Sequence, residues 1–302
     1  MTGTETLRAS GRTVEIKRAG KELFPADGIT KGDLAAYYRA VAGRMLPHLR
    51  GRPLMLERHP DGIGGGRFMQ KDTPDHFPEW IHRAELAKED GTVTYPVRDD
   101  LATLLYLADQ ACVTPHRWLS RADRPDHPDR LVFDLDPPGD DFEQVREAAG
   151  FLHALLDELD LPGVPMTTGS RGLHVVVALD RRTAFDEVRA FARDAAGVLA
   201  DRHPDRLTTA ARKQARGDRL YLDVQRNAYG QTAVAPYAVR ALPGAPVAAP
   251  VSWAELDDPG LTARRWTVST IEDRLGEDDP WREAPRRGRS LTAAHRRLAK
   301  LS

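Results

Sequence analysis

Leu131-Val132-Phe133-Asp134-Leu135-Asp136-Pro137-Pro138 places two carboxylates two residues apart at the end of an apolar run. Side chains along a strand alternate faces, so Asp134 and Asp136 point to the same side. Two acids held side by side repel each other, and a fold keeps such a pair where water, an arginine or a cation lies between them. A divalent metal is a natural occupant. The double proline forbids further ladder bonding, which puts the pair at a strand end, on a rim where a site can open.

The chain around this strand has 302 residues, 41% of them apolar, enough for a packed core in two subdomains or one large α/β unit. Its formal net charge of −1 means that any contact with nucleic acid must come from local clusters of cations. The single cysteine, Cys112, rules out a disulfide framework within one chain and suits a reducing cytoplasm. No run approaches the ~18 apolar residues of a membrane span, and the N-terminus lacks an apolar signal segment. A cytoplasmic protein is expected.

Outward from the acidic strand, Phe142, Val145, Ala149, Leu152, Leu155 and Leu156 form a helical stripe that ends at Pro162-Gly163. A polar turn, Thr167 to Gly172, then leads into an apolar strand from Leu173 to Leu179 and a helix from about Phe185 to Leu199. Leu220 to Val224 and Val234 to Val239 read as further strands. Upstream, Thr30 and Asp33 resemble a capping box at the start of a helix from about Lys31 to His48, and Asp99 or Asp100 can cap a second through Leu101 to Ala108. Between them Leu54-Met55-Leu56 reads as a short strand, and Asp61 to Gly66 as a glycine-rich turn. Helices and strands mix in both orders, which predicts an α+β or mixed fold rather than a strict βαβ repeat. Residues 286–302 carry six cations and no acid and read as a mobile basic tail on a domain spanning 1–285.

Asp223 lies on a strand otherwise suited to burial, and an acid there needs a partner. Three aspartates from two strands on one face are the usual oxygen set for a pair of Mg²⁺ or Mn²⁺ ions about 4 Å apart. By spacing alone a structural reading stands beside this one: Asp134 and Asp136 cap a turn, and Asp223 pairs with an arginine such as Arg226. Thr168-Gly169-Ser170-Arg171-Gly172-Leu173-His174 is suited to an anion, because glycines let backbone N–H groups approach it while Arg171 and His174 add donors. A tight turn without ligand has the same composition.

Taken together, the motifs resemble a known family, the polymerase domain of bacterial ligase D in the archaeo-eukaryotic primase superfamily. The resemblance covers roughly residues 12 to 275. It is carried by Lys21-Glu22-Leu23-Phe24-Pro25 with Thr30-Lys31, by Gly51-Arg52-Pro53, by Phe68-Met69-Gln70-Lys71 and by the Asp-Leu-Asp-Pro stretch. Further along come the Thr168–His174 loop, the strand ending in Asp223, Ala235-Pro236-Tyr237-Ala238-Val239-Arg240 and Val251-Ser252-Trp253-Ala254-Glu255-Leu256. Motifs in family order are far more specific than any one alone.

The resemblance implies a primase-polymerase fold: a mixed or antiparallel, RRM-like catalytic sheet flanked by helices, intertwined with a second N-terminal α/β subdomain. It implies that Asp134, Asp136 and Asp223 hold two metals, preferably Mn²⁺, for attack of a primer 3′-hydroxyl on the α-phosphorus of an NTP or dNTP. Thr168, Arg171 and His174 are then expected at the triphosphate, with Lys71, Arg216 and Arg240 as further cations and His116 near the nucleotide. Lys21 and Lys31 are expected to recognise a 5′-phosphate at a DNA gap, notable because the chain has seven lysines against 37 arginines. Phe68 is expected to stack on a templating base, with Met69 where family members often have a second aromatic. Arg226 replaces a family glutamine, and Arg171 a family lysine.

The implied activity is template-directed addition of nucleotides, ribonucleotides included, at 5′-phosphorylated gaps or broken ends. Its context is non-homologous end joining in a bacterial cytoplasm, at the nucleoid, with Ku and an ATP-dependent ligase acting in trans. Gap filling in excision repair or primer synthesis would use the same site. A DNA-end-binding module without catalysis is the alternative of a different class.

Overall fold

The computed structural model describes residues 3–282, 284 and 287–301, which form two compact units built from alternating stretches of chain. The first unit takes residues 1–123, 232–248 and 266–277, and the second 124–231, 249–265 and 278–302. The second unit includes described residues beyond 285, within the stretch expected to be a tail.

The first unit opens with the hairpin β1 (Glu5–Ala9) and β2 (Arg12–Ile16), then the small pair β3 (Glu22–Phe24) and β4 (Ile29–Thr30). Helix α1 (Lys31–Leu49) starts where the capping box is expected: Thr30 Oγ1 accepts from the Asp33 amide, and the Asp33 carboxylate accepts from the Thr30 amide. Strands β5 (Arg52–Arg58), β6 (Phe68–Gln70), β7 (Arg83–Lys88) and β8 (Gly91–Arg98) follow, then α2 (Leu101–Asp109), capped by Asp100, and β9 (Cys112–Trp118). Strand β5 pairs with β6, β8 and β9.

The second unit holds β10 (Arg130–Asp136), α3 (Phe142–Glu158), β11 (Gly163–Thr167), β12 (Leu173–Ala178), α4 (Phe185–Arg202), β13 (Leu207–Thr208) and β14 (Leu220–Asp223). Its five-stranded sheet runs β11-β12-β10-β14-β13, antiparallel except for the β13–β14 pair. Both long helices pack on it through stripes that include Val145, Leu152, Val188 and Phe191, all fully buried. The alternation of β10 buries Phe133 and Leu135 and leaves Asp134 and Asp136 half-buried.

The chain then returns to the first unit for β15 (Thr232–Val234), which joins β9, and for α5 (Ile271–Gly276). The strand expected over 234–239 stops at Val234. Pro236 has no amide to donate to a ladder, and Tyr237 takes a left-handed φ of 63°. In the second unit, the stretch expected to be a mobile tail contains α6 (Leu291–Leu298), capped by Ser290 and packed on α4, with Leu291, Ala294 and Leu298 buried. Arg297 donates to the carbonyl of Leu159, and His295 meets the Phe191 ring edge-on. The apolar i, i+3, i+7 spacing was hidden under a basic composition; Arg286 and Ser302 lie outside the described residues.

Asn227 decides how β10 is held beyond the end of β14. Strand β14 stops at Asp223, opposite Asp134, so the ladder ends before Val132. The Asn227 side chain continues it: Oδ1 accepts from the Val132 amide at 2.8 Å and Nδ2 donates to the Val132 carbonyl at 2.7 Å, fully buried. Asn227→Ala leaves both backbone groups unsatisfied and is expected to lower stability by about 2–4 kcal/mol, read as a lower urea midpoint at unchanged slope.

Candidate active site

The acidic residues of the second unit are brought together by register. Asp134 on β10 stands directly opposite His174 on β12 and opposite Asp223 on β14. Directly opposed residues of antiparallel strands share a face, so His174, Asp134 and Asp223 form a row across three strands, with Asp136 two residues along on the same face.

Each carboxylate has its own partners. Asp136 accepts from Arg171 Nη2 at 3.4 Å on one oxygen and from Arg216 Nη1 at 3.1 Å on the other. Arg216 is fixed in turn by donating to the carbonyls of Ala210 and Ala211 and by lying 3.9 Å over the Tyr221 ring. Asp134 Oδ2 lies 3.5 Å from His174 Nε2 and 3.7 Å from Arg226 Nε. Asp223 Oδ1 accepts from the Gln225 amide at 2.8 Å. Burial pushes the Asp223 carboxyl above its ordinary value, and the charges of Asp134 and Asp136 push the same way, against the Gln225 amide and Arg226. Among the described residues no group of three or more His, Cys, Asp or Glu side chains is gathered so as to hold a metal ion.

The glycine-containing loop sits against this row because of one residue. A Cβ on Gly172 would lie 2.1 Å from the carbonyl oxygen of Leu135, between the two acids of β10, so no other residue fits there without moving the loop. Thr168 is buried, and its hydroxyl donates to the Gly172 carbonyl and accepts from the Ser170 and Gly172 amides. Its observed role is therefore to close the turn. Arg264 Nε donates to the Ser170 carbonyl, and a cavity of about 230 Å³ opens beside Asp140, Phe142, Ser170, Arg171, Thr262 and Arg264.

The remaining candidates lie in the first unit. Phe68 and Met69 are the exposed large hydrophobic residues among those described, at 57% and 42% exposure, on β6; Lys71, just after that strand, is also exposed. Lys21 pairs with Asp61 at 2.9 Å, and its carbonyl accepts from the Lys31 amide. Lys31 itself is buried, with Nζ 2.8 Å from Asp109 Oδ1 and 3.0 Å from the Asp109 carbonyl. The two lysine backbones are neighbours, and the Lys31 ammonium is directed at Asp109. His116 is half-buried beside Glu57, whose carboxylate also feels the charge of Arg240.

Sequence reasoning missed Asn227, Tyr221, Asp109 and Glu57. Only Glu57 carried a signal, an acid at the end of the apolar Leu54–Leu56 strand, the same signal that singled out Asp223.

Among known proteins, the family model of the LigD primase-polymerase domain matches residues 30–281. The multifunctional non-homologous end joining protein LigD of Mycobacterium bovis is 36% identical over 279 residues, covering 89% of this chain and 36% of its own length. LigD of Pseudomonas aeruginosa is 33% identical over 96% of this chain and 35% of its own, and the bifunctional LigD of Bacillus subtilis 31% over 84% and 41%. The chain thus spans little more than a third of the length of these curated relatives. The polymerase domain of Mycobacterium tuberculosis ligase D, solved in complex with DNA, superposes with a TM-score of 0.83 at 35% identity, covering 88% of this chain and 95% of that one. With a family model over most of its length and the fold of a solved member, the chain belongs to the LigD primase-polymerase domain family.

Proposed function

We propose that the chain is a template-directed nucleotidyltransferase of DNA repair. It adds nucleotides, ribonucleotides included, to a primer 3′-hydroxyl at 5′-phosphorylated gaps or broken ends in non-homologous end joining, with Ku and a ligase as partners in a bacterial cytoplasm. The observation that carries this reading is the row His174–Asp134–Asp223 with Asp136 beside it and Arg171 and Arg216 on its flanks. Carboxylates with arginines and a histidine around them are the equipment for a metal-bound triphosphate.

Asp134, Asp136 and Asp223 would hold two divalent ions, Mn²⁺ or Mg²⁺. The donor chemistry suits them: hard oxygens on one face, with Asp223 already disfavoured as an anion by burial and by its neighbours. When bound, the ions would lower the pKa of the primer hydroxyl and neutralise the leaving pyrophosphate. For ligation Asp136 must exchange Arg171 and Arg216 for a cation, and a triphosphate offers those guanidinium groups an alternative anionic partner. His174 and Arg226 hold Asp134 in place. Lys71, His116 and Arg240 are proposed as nucleotide contacts, Phe68 as the template stacker and Lys21 as the 5′-phosphate contact, with Lys31 buried against Asp109 and supporting the Lys21 backbone. The solved DNA complex of the mycobacterial domain supports DNA as the partner.

The arginine pairing of Asp136 also favours a second reading, a DNA-end-binding module whose acids only stabilise the fold. Extension of a gapped, 5′-phosphorylated duplex with Mn²⁺ separates the two. Asp136→Ala should lower extension by more than about 100-fold while the duplex still binds, because several kcal/mol of charge stabilisation are lost. A wild-type chain that binds and never extends rejects catalysis.

The lysines separate by burial. Lys31→Ala takes the cation from the buried Asp109 carboxylate, which keeps its bonds from the Lys17 amide and Gln110, and should cost about 3 kcal/mol in urea unfolding. Lys21→Ala, at a partly exposed pair, should change stability by less than about 1 kcal/mol. In a competition assay it should cut the preference for phosphorylated over hydroxyl ends about tenfold, a loss of about 1.4 kcal/mol. An unchanged preference would reject the 5′-phosphate assignment.

Because the Asp223 carboxyl is raised in the folded state, its ionisation penalises folding above that raised value, and the penalty disappears below the ordinary value of 3.8. In EDTA, Asp223→Asn should therefore be more stable than wild type at neutral pH, the gain fading as acidity passes about pH 4. Added Mn²⁺ should raise the melting temperature of wild type and leave that of the variant in place.

A further inference from the structure

Within the second unit, Arg171 belongs to two places at once. Its Nη2 lies 3.4 Å from Asp136 Oδ1 in the acidic row, and the residue also lines the cavity of about 230 Å³ that Ser170 shares with Asp140, Phe142, Thr262, Ala263 and Arg264. A second guanidinium residue, Arg264, thus borders the same space. Its place is fixed by its own stretch of chain: Leu261 and Ala263 are buried, Thr262 and Arg264 are exposed, and Arg264 Nε donates to the Ser170 carbonyl at 2.8 Å. Among the described residues nothing accepts from the Nη groups of Arg264, which leaves most donors of its planar fork for a ligand.

Two guanidinium residues around one small cavity repel each other, and an anion between them turns that repulsion into attraction. Asp140 is the carboxylate of the lining. It is exposed, where solvent and salt weaken its repulsion of an anion. The start of α3 adds little, because Asp141 already caps it by accepting from the Glu143 amide. The arginines are therefore what the cavity offers, and their fork geometry suits the oxygens of a phosphate.

We propose that Arg264 is a specificity-determining contact: the Nη edge of its fork takes the terminal phosphate of the incoming nucleoside triphosphate, in the cavity that Arg171 joins to the acidic row, and so favours a triphosphate over a diphosphate. The inference rests on the reading of the acidic row as the seat of a metal-bound triphosphate. A phosphate chain that begins at Asp136 and runs past Arg171 leads to Arg264, and the last phosphate is the one a diphosphate lacks. The bond to Ser170 also gives Arg264 a structural effect, that of holding the Thr168–His174 loop. Losing that hold would weaken the phosphate contacts of the loop for triphosphate and diphosphate alike.

Titration of the chain with GTP and with GDP in Mn²⁺ buffer, without primer DNA so that no nucleotide is consumed, separates the two effects. Arg264→Ala should raise the dissociation constant for GTP about tenfold, the size of one charge-assisted contact, and that for GDP less than about twofold. In gap extension its KM for GTP should rise by the same factor with kcat changed less than about twofold, as for a contact made equally before and in the transition state. An equal loss for GTP and GDP assigns Arg264 to the loop alone and overturns the proposal, as does wild-type affinity for both. Arg264→Lys keeps the charge and loses the fork, and it decides the matter should the alanine variant unfold. A preference for GTP over GDP reduced by about threefold or more supports the proposal, and an unreduced one overturns it. The two readings fail separately. A wild type that binds GTP and extends, beside an Arg264→Ala that keeps the same preference, overturns only the terminal-phosphate contact; a wild type that binds neither nucleotide overturns the triphosphate site and this contact with it.

Discussion

Antiparallel register at Asp134 is the constraint on which the second unit turns. Because Asp223 and His174 are its direct cross-strand partners, like charges are forced onto one face at the distance of neighbouring strands. The resulting repulsion, added to burial, is written into the raised Asp223 carboxyl. The surrounding side chains answer it: the guanidinium groups of Arg171 and Arg216 on the oxygens of Asp136, and Arg226 with the His174 imidazole on Asp134. Asn227 holds β10 where the ladder has run out, and Gly172 lets the Thr168–His174 loop rest directly on the Leu135 carbonyl. Structural support and the paired acids are therefore concentrated on a single short strand.

The same economy governs the first unit, where Glu57 and Asp109 are buried acids with dedicated cationic or imidazole partners. A buried charge is tolerable when it is paired and hydrogen-bonded, and both are. Their consequences differ. Asp109 fixes Lys31, the first residue of α1, by two bonds from one ammonium, which makes that lysine part of the packing. Glu57 shares its oxygens between a buried ring and a half-buried one.

Much of this was legible from the order of residues. The acidic strand, the capping box at Thr30 and Asp33, the Asp100 cap and the apolar stripe of α3 all follow from local periodicity and local hydrogen bonding, which depend on residues a few positions apart. Composition misled at residues 291–298, where arginines masked an amphipathic face, and at 235–239, where a run of apolar residues turns because Pro236 and Tyr237 cannot extend a ladder. Strand pairing across long stretches of chain was beyond local reading, because nothing in a linear pattern says which distant strand will pair with which.

By itself, then, the order of residues determined the acidic strand, the caps at Thr30 and Asp100 and the stripe of α3, since each depends on the chemistry of near neighbours. Only tertiary structure decided that Asp223 faces Asp134 and not solvent, that Lys31 turns inward to Asp109, that Asn227 completes the β10 ladder and that Glu57 binds His59 and His116. Each of these joins groups brought together by strand register or burial, where the penalty for an unpaired charge or amide selects the partner.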